Sequence, residues 1–318
     1  MKQAEFHTPI LFLIFNRPEQ TYKVFSETIQ KIKPAQLYIS ADGPRKNKPG
    51  ETAACEKTRK VTDLIDWECT ITTRFLDENR GCKEGVSSGI DWFFDQVEEG
   101  IILEDDCLVD TSFFTFAAEL LEKYRTDERV MHISASNFSI ETKDWPYSYY
   151  FSYYNHIWGW ASWRSAWKKH YNLNLSQVNR TAFKAVLEKR FERKAERNYF
   201  LAMYDYAKSS YFTTWDYQWT FSIWAAGGLS ISPVKNLVSN IGFGAGATNT
   251  QLVDEAFSVQ KKFEMDFPLK HPELVPKKDA DQKTADFLYK VKDKKNLLKV
   301  KIATYMPVGL KNKIKAWL

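Results

Sequence analysis

The sequence predicts an α/β fold in which helices cover both faces of a mainly parallel β-sheet. Three observations indicate this fold: short apolar runs alternate with segments of helical periodicity, turn residues separate them, and the alternation continues through the first half of the 318 residues. Hydrophobic residues make up 44% of the chain and charged residues 27%, as in ordinary soluble globular proteins.

The predicted elements follow one another from the N-terminus. The apolar run from Pro9 to Phe15 is typical of a strand that is buried on both faces. Pro18 then suits the first turn of a helix that continues to about Ile32. The same alternation predicts strands at 37–40, 70–75, 101–103 and 130–134, and helices at 52–66, 86–97, 112–124, 176–209 and 215–226.

Aromatic residues are concentrated in one block, since positions 145–167 hold eleven of them in 23 positions. Four alternate as on a strand: Tyr147, Tyr149, Phe151 and Tyr153. Three have the spacing of a helix: Trp160, Trp163 and Trp167. We interpret most of these side chains as core packing, because buried aromatic rings cover a large area.

Charge is divided unevenly along the chain. The segment from Lys290 to Leu318 contains nine lysines and one aspartate, a net charge of +8; because the whole chain carries +5, the first 289 residues carry −3. This division argues against a general nucleic-acid-binding surface, so no nucleic-acid partner is expected. Leu298, Ile302 and Tyr305 share one predicted helical face, so the tail suits an anionic membrane surface; docking on the body is the alternative.

The four cysteines indicate free thiols. Cys55, Cys69, Cys82 and Cys107 have neither CxxC spacing nor nearby pairs of histidines. The apolar run near the N-terminus is six residues long and lacks a cleavage site, and no window of eighteen apolar residues occurs. We therefore expect a cytoplasmic protein, with the basic tail as its means of contacting the cytoplasmic face of a membrane.

Several charged residues follow predicted strands, which is where ligands bind in open α/β sheets. The triplet Glu104–Asp106 comes directly after one strand, and three adjacent carboxylates favour a Mg²⁺ or Mn²⁺ ion that also binds a diphosphate; a solvated acidic turn is the alternative. Arg17 suits a phosphate group or a surface ion pair, and Asp42 suits a ligand contact or the turn before Gly43. Arg80 is a weaker phosphate candidate.

Residues Asn79–Asn137 resemble the donor-binding half of the eukaryotic N-acetylglucosaminyltransferase I family. They share an EDD triplet at a strand end, a helix of the "D-x-F-F" type and a strand of the "V-S-A-x-N" type. The resemblance extends, in the same order, to FNRP, SADG, Trp158-Gly159-Trp160, a W-D-x-x-W motif and a Phe-Gly loop. It covers about residues 8–250 and leaves out the tail.

The resemblance implies a GT-A fold and a metal-dependent, inverting glycosyltransferase. Such an enzyme moves a hexosyl or N-acetylhexosaminyl group from a nucleotide-sugar, here a UDP-sugar, to a hydroxyl of a glycan or lipid-linked acceptor in polysaccharide assembly. Residues 1–260 would be the catalytic domain, with a donor half to about residue 140 and an acceptor half after it. Residues 261–318 would be a linker and a basic, amphipathic helical tail.

The resemblance also implies roles for the residues of the donor site. Asp106 would be the direct ligand of Mn²⁺ or Mg²⁺, Asp105 would lie near the ribose or sugar, and Glu104 would hydrogen-bond the sugar. Arg17 would contact the diphosphate, and Asp42 the uracil. In the Gly-rich loop Gly242–Thr248, backbone N–H groups and the Thr248 hydroxyl could bind phosphate; a surface loop is the alternative.

A transferase also needs a base that removes the proton of the acceptor hydroxyl. Asp216 is the candidate, because flanking aromatic residues such as Trp215 can raise the pKa of a carboxyl group. The alternative is an aspartate that stabilises a helix N-terminus. The family usually has two consecutive acids here, whereas Tyr217 follows Asp216 in this chain. Trp158, Trp160 and Trp215 are the predicted acceptor-binding residues.

Two other classes of protein remain open at this point. A sugar nucleotidyltransferase shares an α/β sheet and an acidic metal site, but it needs a Gly-rich loop after the first strand, and FNRPEQT contains no glycine. A carbohydrate-binding protein could use the aromatic block without catalysis, but it would not need the EDD triplet.

Overall fold

A computed structural model describes residues 5–138, 145–242 and 260–306. Its strands are β1 (Ile10–Ile14), β2 (Gln36–Ala41), β3 (Thr70–Phe75), β4 (Glu99–Glu104), β5 (Cys107–Val109), β6 (Val130–Ser134), β7 (Tyr149–Ser152), β8 (Trp160–Trp163), β9 (Leu229–Pro233) and β10 (Val238–Asn240). Within the described residues, eight of these strands form one sheet in the order β3-β2-β1-β4-β8-β6-β9-β7, and β5 pairs with β10.

Helices connect and cover these strands. In the described ranges they are α1 (Pro18–Val24), which continues through a π-helical turn (Phe25–Ile29) into α2 (Gln30–Ile32), α3 (Glu51–Arg59) with a following 3-10 turn (Lys60–Leu64), α4 (Gly81–Gln96), α5 (Ser112–Tyr124), α6 (Arg164–His170), α7 (Arg180–Arg190), α8 (Lys194–Ala207), α9 (Asp216–Ala226), α10 (Lys278–Phe287) and α11 (Lys294–Thr304).

The sheet is mixed but mostly parallel. Neighbouring strands run parallel in the pairs β3-β2, β2-β1, β1-β4 and β6-β9, and antiparallel around β8 and at β7. Alternate residues of β1 face different cores: Phe12 packs under the helices of one face, and Leu11 and Leu13 pack under those of the other. The predicted α/β fold with helices flanking a mainly parallel sheet is confirmed, whereas the GT-A assignment stays a prediction.

The register of the central strands aligns their carboxyl ends. β1 is parallel to both β2 and β4, and Leu13 pairs with Ser40 on one side and with Glu104 on the other. Because the three strands end at the same edge, the residues that follow them are neighbours in space. Arg17, Asp42 and the acidic triplet therefore lie along one edge of the sheet.

The aromatic block corrects one prediction from spacing. Trp160 and Trp163 belong to strand β8, and α6 begins only at Arg164. Strand β8 lies between β4 and β6, and all four of its residues are buried, so the alternation that would indicate a strand is absent.

The C-terminal helices pack on the body. Ser152 Oγ, at the end of β7, donates a hydrogen bond to Asp281 of α10 over 2.5 Å, and α11 packs against α8 with Val300 buried. Leu298 of α11 and Tyr305, which follows the helix directly, remain exposed. In the sequence analysis, this docking was the alternative to membrane contact. The domain boundary at residue 260 stays a prediction. In the part of the chain that the structure describes, no helix has both the length and the apolar character needed to cross a bilayer.

Candidate functional site

A cavity of about 1090 Å³ opens at the carboxyl ends of β1, β2 and β4. Its volume is slightly above the range of about 300–1,000 Å³ that is usual for small-molecule sites. Eight of the eleven predicted site residues line it: Arg17, Asp42, Glu104, Asp105, Asp106, Trp158, Trp215 and Asp216. The fold therefore brings the acidic triplet and the candidate base to the same cavity.

Arg17 pairs with two carboxylates of the triplet. Its Nη2 lies 2.6 Å from Asp105 Oδ1, and its Nη1 lies 2.9 Å from Asp106 Oδ2. Phe15 N–H donates to the other oxygen of Asp105 over 3.2 Å. Asp105 is almost wholly buried, whereas the side chains of Asp106 and Arg17 are 15% and 22% exposed. Asp105 thus holds Arg17 from within the site, and Asp106 is the more exposed of the two acids.

The charges of the site shift the pKa values of its members. Burial would lower the pKa of Arg17, but the carboxylates of Asp105 and Asp106 more than offset this effect, so Arg17 remains charged. Burial raises the pKa of Glu104, and the negative charges of Asp106, Asp105 and Asp216 raise it further. Glu104 consequently lies in an excess of negative charge that a cation would relieve.

Asp216 is the first residue of helix α9 and lines the cavity beside Glu104. Burial raises the pKa of Asp216, while hydrogen bonds from the Thr214 side chain and from backbone amides lower it again, leaving a net rise. A carboxyl group with a raised pKa is a better proton acceptor than an exposed one. The helix N-terminal position, which was the alternative interpretation, is also observed, and the two roles are compatible.

The carboxylates of the site fit a cation that takes most of its ligands from phosphate and water oxygens rather than from the protein. Asp106 Oδ1 accepts from Asn240 Nδ2 over 3.2 Å and from the Cys107 thiol over 3.5 Å, whereas Oδ2 accepts one hydrogen bond, from Arg17, so a lone pair of Oδ2 remains for a metal. Across residues 5–138, 145–242 and 260–306, no group of three or more His, Cys, Asp and Glu side chains could hold a metal ion. Mg²⁺ commonly binds through one or two carboxylates, with phosphate and water oxygens completing its shell.

Asp42 has a structural role that extends beyond the turn before Gly43, which was the alternative to a ligand contact in the sequence analysis. Its Oδ1 accepts from the N–H groups of Gly43 and Arg80, and its Oδ2 from Asn79 Nδ2 and Gly81 N–H, all within 3.0 Å. These four hydrogen bonds use the four lone pairs of a carboxylate and cap the N-terminus of α4. Asp42 thus positions the cavity wall, and because it also lines the cavity, its contact with uracil stays a prediction.

Three other predicted residues lie outside the cavity lining or outside the described ranges. The Arg80 side chain is exposed and does not line the cavity. Trp160 is fully buried between His132 and Trp215, with ring centroids 4.9 and 5.8 Å away, so it cannot contact an acceptor and instead supports Trp215. Thr248 lies in residues 243–259, which the structure does not describe.

The cavity also contains residues that sequence reasoning missed. Arg45 lines the cavity, and its backbone N–H and side chain are held by Glu51. Arg45 directly follows the Asp42-Gly43-Pro44 turn at the end of β2, so the rule that ligands bind at the carboxyl ends of strands could have identified it. Tyr199 and Tyr289 form part of the wall near Asp216. Tyr289 belongs to the C-terminal segment and packs 5.2 Å from Phe200 of α8 between ring centroids, a long-range contact that no local pattern announces.

Similarity to known proteins is low. No protein-family model matches the chain, and no curated protein matches it. Among solved structures, the chain is similar to HddC from Yersinia pseudotuberculosis, with 6% identity, a TM-score of 0.33, and 52% of this chain and 81% of that chain covered. It is also similar to 4-diphosphocytidyl-2C-methyl-D-erythritol synthase from Anaerococcus prevotii, with 10% identity, a TM-score of 0.30, and 61% and 81% covered.

A third similar structure is UDP-glucose pyrophosphorylase complexed with UDP-glucose, with 12% identity, a TM-score of 0.25, and 46% of this chain and 62% of that chain covered. TM-scores this low carry no conclusion about this chain, and its function has to be argued from the cavity itself.

Proposed function

We propose that this protein is a divalent-cation-dependent, inverting glycosyltransferase that moves a sugar from a UDP-sugar to an acceptor hydroxyl in glycan assembly. One observation carries the proposal: a single cavity holds the Arg17-paired acidic triplet at the end of β4 together with Asp216 at the start of α9. A phosphate-binding cation, a phosphate-binding arginine and a base are the groups that this reaction needs.

Arg17 binds the diphosphate and stabilises the negative charge that develops on it as it leaves. A Mn²⁺ or Mg²⁺ ion held by Asp106 would supply further positive charge to the same diphosphate. Burial and the negative charges of Asp106 and Asp216 raise the pKa of Glu104, and this carboxyl group suits a hydrogen bond to the sugar.

Asp216 takes the proton of the acceptor hydroxyl as the acceptor oxygen attacks the anomeric carbon. The bond between that carbon and the diphosphate oxygen breaks, and the electron pair leaves with the diphosphate. Attack opposite to the leaving group inverts the anomeric centre. The aromatic wall of Trp158, Tyr217 and Tyr289 offers apolar surface on which an acceptor sugar can stack.

The test is calorimetry of the purified chain with UDP and a panel of UDP-sugars, with Mn²⁺ and with excess chelator, followed by mass spectrometry of incubations with candidate acceptors. We expect binding that depends on the cation, and UDP release together with a glycosylated acceptor. Binding of glycans alone, unaffected by chelator, would indicate a carbohydrate-binding protein instead. Release of pyrophosphate from UTP and a sugar 1-phosphate would indicate a sugar nucleotidyltransferase.

A further inference from the structure

The connection between α10 and α11, together with the first turn of α11, forms one wall of the cavity. The resemblance leaves this part of the chain out. Four of its residues line the cavity: Leu288, Tyr289, Lys290 and Asn296. A segment that its composition marks as a basic tail therefore takes part in the candidate site.

The position of Tyr289 in this wall is fixed before any ligand binds. Asn296 Nδ2 donates a hydrogen bond to the carbonyl oxygen of Tyr289 over 2.8 Å. The ring packs against those of Tyr154 and Phe200, whose centroids lie 5.3 and 5.2 Å from its own. Because both the backbone and the ring are held, a ligand would have to order little at this residue.

Tyr289 lies near the candidate base and away from the acidic triplet. Tyr217, the residue after Asp216, has its ring centroid 6.4 Å from that of Tyr289. Burial raises the pKa of Tyr289, and Tyr199 and then Asp216 raise it further, whereas the carboxylates of the triplet do not contribute. In the proposed reaction the diphosphate is held at the triplet and the acceptor hydroxyl at Asp216. Tyr289 therefore lies on the side where the rest of the acceptor has to be.

The hydroxyl group of Tyr289 has no hydrogen-bond partner within residues 5–138, 145–242 and 260–306. It is not enclosed either: the indole nitrogen of Trp160 is buried and unpaired, whereas the Tyr289 hydroxyl keeps accessible surface. The neighbouring Tyr154 is fully buried and does not line the cavity, and its hydroxyl donates to Glu196 Oε1 over 2.9 Å. A phenol that keeps its proton can donate and accept, so Tyr289 offers a ligand both kinds of hydrogen bond.

We propose that this wall is the acceptor subsite, and that the Tyr289 hydroxyl hydrogen-bonds a hydroxyl group of a pyranose ring of the acceptor. The hydroxyls of such a ring pair with the phenol, and its apolar C–H face suits packing against the aromatic rings of the wall. The proposal rests on the proposed function and names the acceptor class as a pyranoside. Because the wall lies outside the resemblance, acceptor choice depends on a part of the chain that the donor-binding half does not include.

Tyr289→Phe tests the hydroxyl without removing the ring. The full chain is saturated with UDP and Mn²⁺, which fill the donor half, and the methyl β-pyranosides of glucose, galactose and N-acetylglucosamine are titrated by ligand-observed NMR. We expect at least one of these glycosides to bind the parent, and Tyr289→Phe to weaken that binding about three- to tenfold, the cost of one hydrogen bond. Affinity for UDP, measured by calorimetry, should not change, because the hydroxyl lies away from the triplet.

Tyr154→Phe is the matched control. It removes a phenolic hydroxyl from the same aromatic cluster, but one that is paired with the buried Glu196. It should lower the melting temperature by at least about 2 °C and leave the affinity for the glycoside unchanged. Tyr289→Phe should leave the melting temperature unchanged, since its hydroxyl has no partner in the free protein.

Four results overturn the proposal. None of the three glycosides binds the UDP-loaded parent, Tyr289→Phe binds the glycoside as tightly as the parent does, Tyr289→Phe loses affinity for UDP as well, or Tyr289→Phe loses as much stability as Tyr154→Phe. If the parent chain does not bind UDP with Mn²⁺, the proposed function fails and this proposal fails with it. If UDP binds and one of the four results is found, only the acceptor subsite is lost.

Discussion

Arg17 Nη1 donates a hydrogen bond over 2.9 Å to Oδ2 of Asp106, and both residues line the cavity. The same guanidinium holds the buried Asp105 over 2.6 Å, so one arginine links two neighbouring acids of the triplet. Taking Arg17 away would leave Asp105 as a buried, uncompensated charge, which is strongly destabilising. Arg17, which is proposed to bind the diphosphate, therefore also holds the site together when no diphosphate is bound.

Replacing Asp106 by Asn should remove most of the cation-dependent binding. The amide keeps the size of the side chain, but it loses the negative charge that Mn²⁺ or Mg²⁺ requires. Loss of an outer-shell partner already costs about 10–100-fold in metal affinity, so loss of the direct ligand should cost at least that much. Titration of Mn²⁺ in the presence of UDP, followed by electron paramagnetic resonance, measures the effect.

Asp63→Asn is the control for this substitution, because Asp63 is exposed on the 3-10 turn after α3 and does not line the cavity. It should bind Mn²⁺ and UDP as the parent does. Sugar transfer by Asp106→Asn at a rate within about twofold of the parent rate would refute the metal role, because losing the direct metal ligand should cost more than losing an outer-shell partner.

Gly242 lies against the Asp106 and Arg17 pair and should tolerate no side chain. A Cβ at this position would overlap Asp106 Oδ2 and would lie 2.9 Å from Arg17 Nη1, so alanine must displace one of the two. We expect Gly242→Ala to weaken Mn²⁺-dependent UDP binding by calorimetry while the chain stays folded. Gly50→Ala is the control: Gly50 has φ +80° and open space around it, so the change costs stability but should not alter UDP binding.

Asp216→Asn should separate chemistry from binding. The amide cannot accept the acceptor proton, so transfer should fall by at least about 10²-fold while UDP-sugar affinity is retained. In the parent chain, kcat/KM should rise with pH through the raised pKa of Asp216, because only the carboxylate form acts as a base. The variant should lack this rise.

Thr214→Ala provides a matched comparison for the pH profile. The Thr214 side chain hydrogen-bonds Asp216 and lowers the pKa of its carboxyl group, so its removal should move the rise in kcat/KM to higher pH. An identical pH profile in the parent, in Asp216→Asn and in Thr214→Ala would show that another group is the base.

The first half of the fold could be predicted because each buried strand is a local apolar run. The strands predicted at 70–75 and 130–134 coincide with those observed, and the acidic triplet does follow β4. Trp160 could not be placed in the same way, since a strand between two others is buried on both faces and shows no alternation.

Long-range contacts explain what else the sequence did not reveal. The role of Asp42 depends on Asn79 and Gly81, which return to it from 37 and 39 positions away. Tyr289 lies between α10 and α11 and reaches the cavity wall because α11 packs on α8, and neither the lysine-rich composition nor the periodicity of that segment indicates its docking site.

Asp281 should make the stability of the protein depend on pH. Burial raises the pKa of Asp281 to about 7, although hydrogen bonds from Ser152 and from Tyr153 N–H oppose the rise; the charge of Glu196 adds to it and that of Arg190 opposes it. The folded chain then keeps a proton that the unfolded chain, with a carboxyl pKa of about 3.9, has lost. This contribution to stability is complete below about pH 4 and is lost as the pH rises through about 7.

We therefore expect the free energy of unfolding to decrease between pH 5 and pH 8, and Asp281→Asn, which stays neutral, to show a weaker decrease. Urea unfolding at four pH values measures both slopes. Asp279→Asn is the control from the same helix: the pKa of Asp279 is lowered, so this variant should keep the slope of the parent. Equal slopes in all three proteins would exclude Asp281 as the titrating group.

The last prediction concerns α11, which packs on the body and still leaves an apolar and basic face outside. Leu298 is 51% exposed and Tyr305 is 84% exposed, and exposed lysines surround them on the helix. Near an anionic membrane each lysine contributes about 1 kcal/mol, and the apolar side chains add burial. We expect the full chain to sediment with phosphatidylserine vesicles, less so at high salt, and not with phosphatidylcholine vesicles.

Replacing the four exposed lysines of α11 by glutamine should abolish this sedimentation: Lys294, Lys295, Lys299 and Lys301. A control protein carries the same number of substitutions at exposed lysines of α3, its following turn and α7: Lys57, Lys60, Lys184 and Lys189. Because both proteins lose the same net charge, only a localised surface makes them differ. Equal loss of vesicle binding in the two proteins would mean that general charge, and not α11, attracts the membrane.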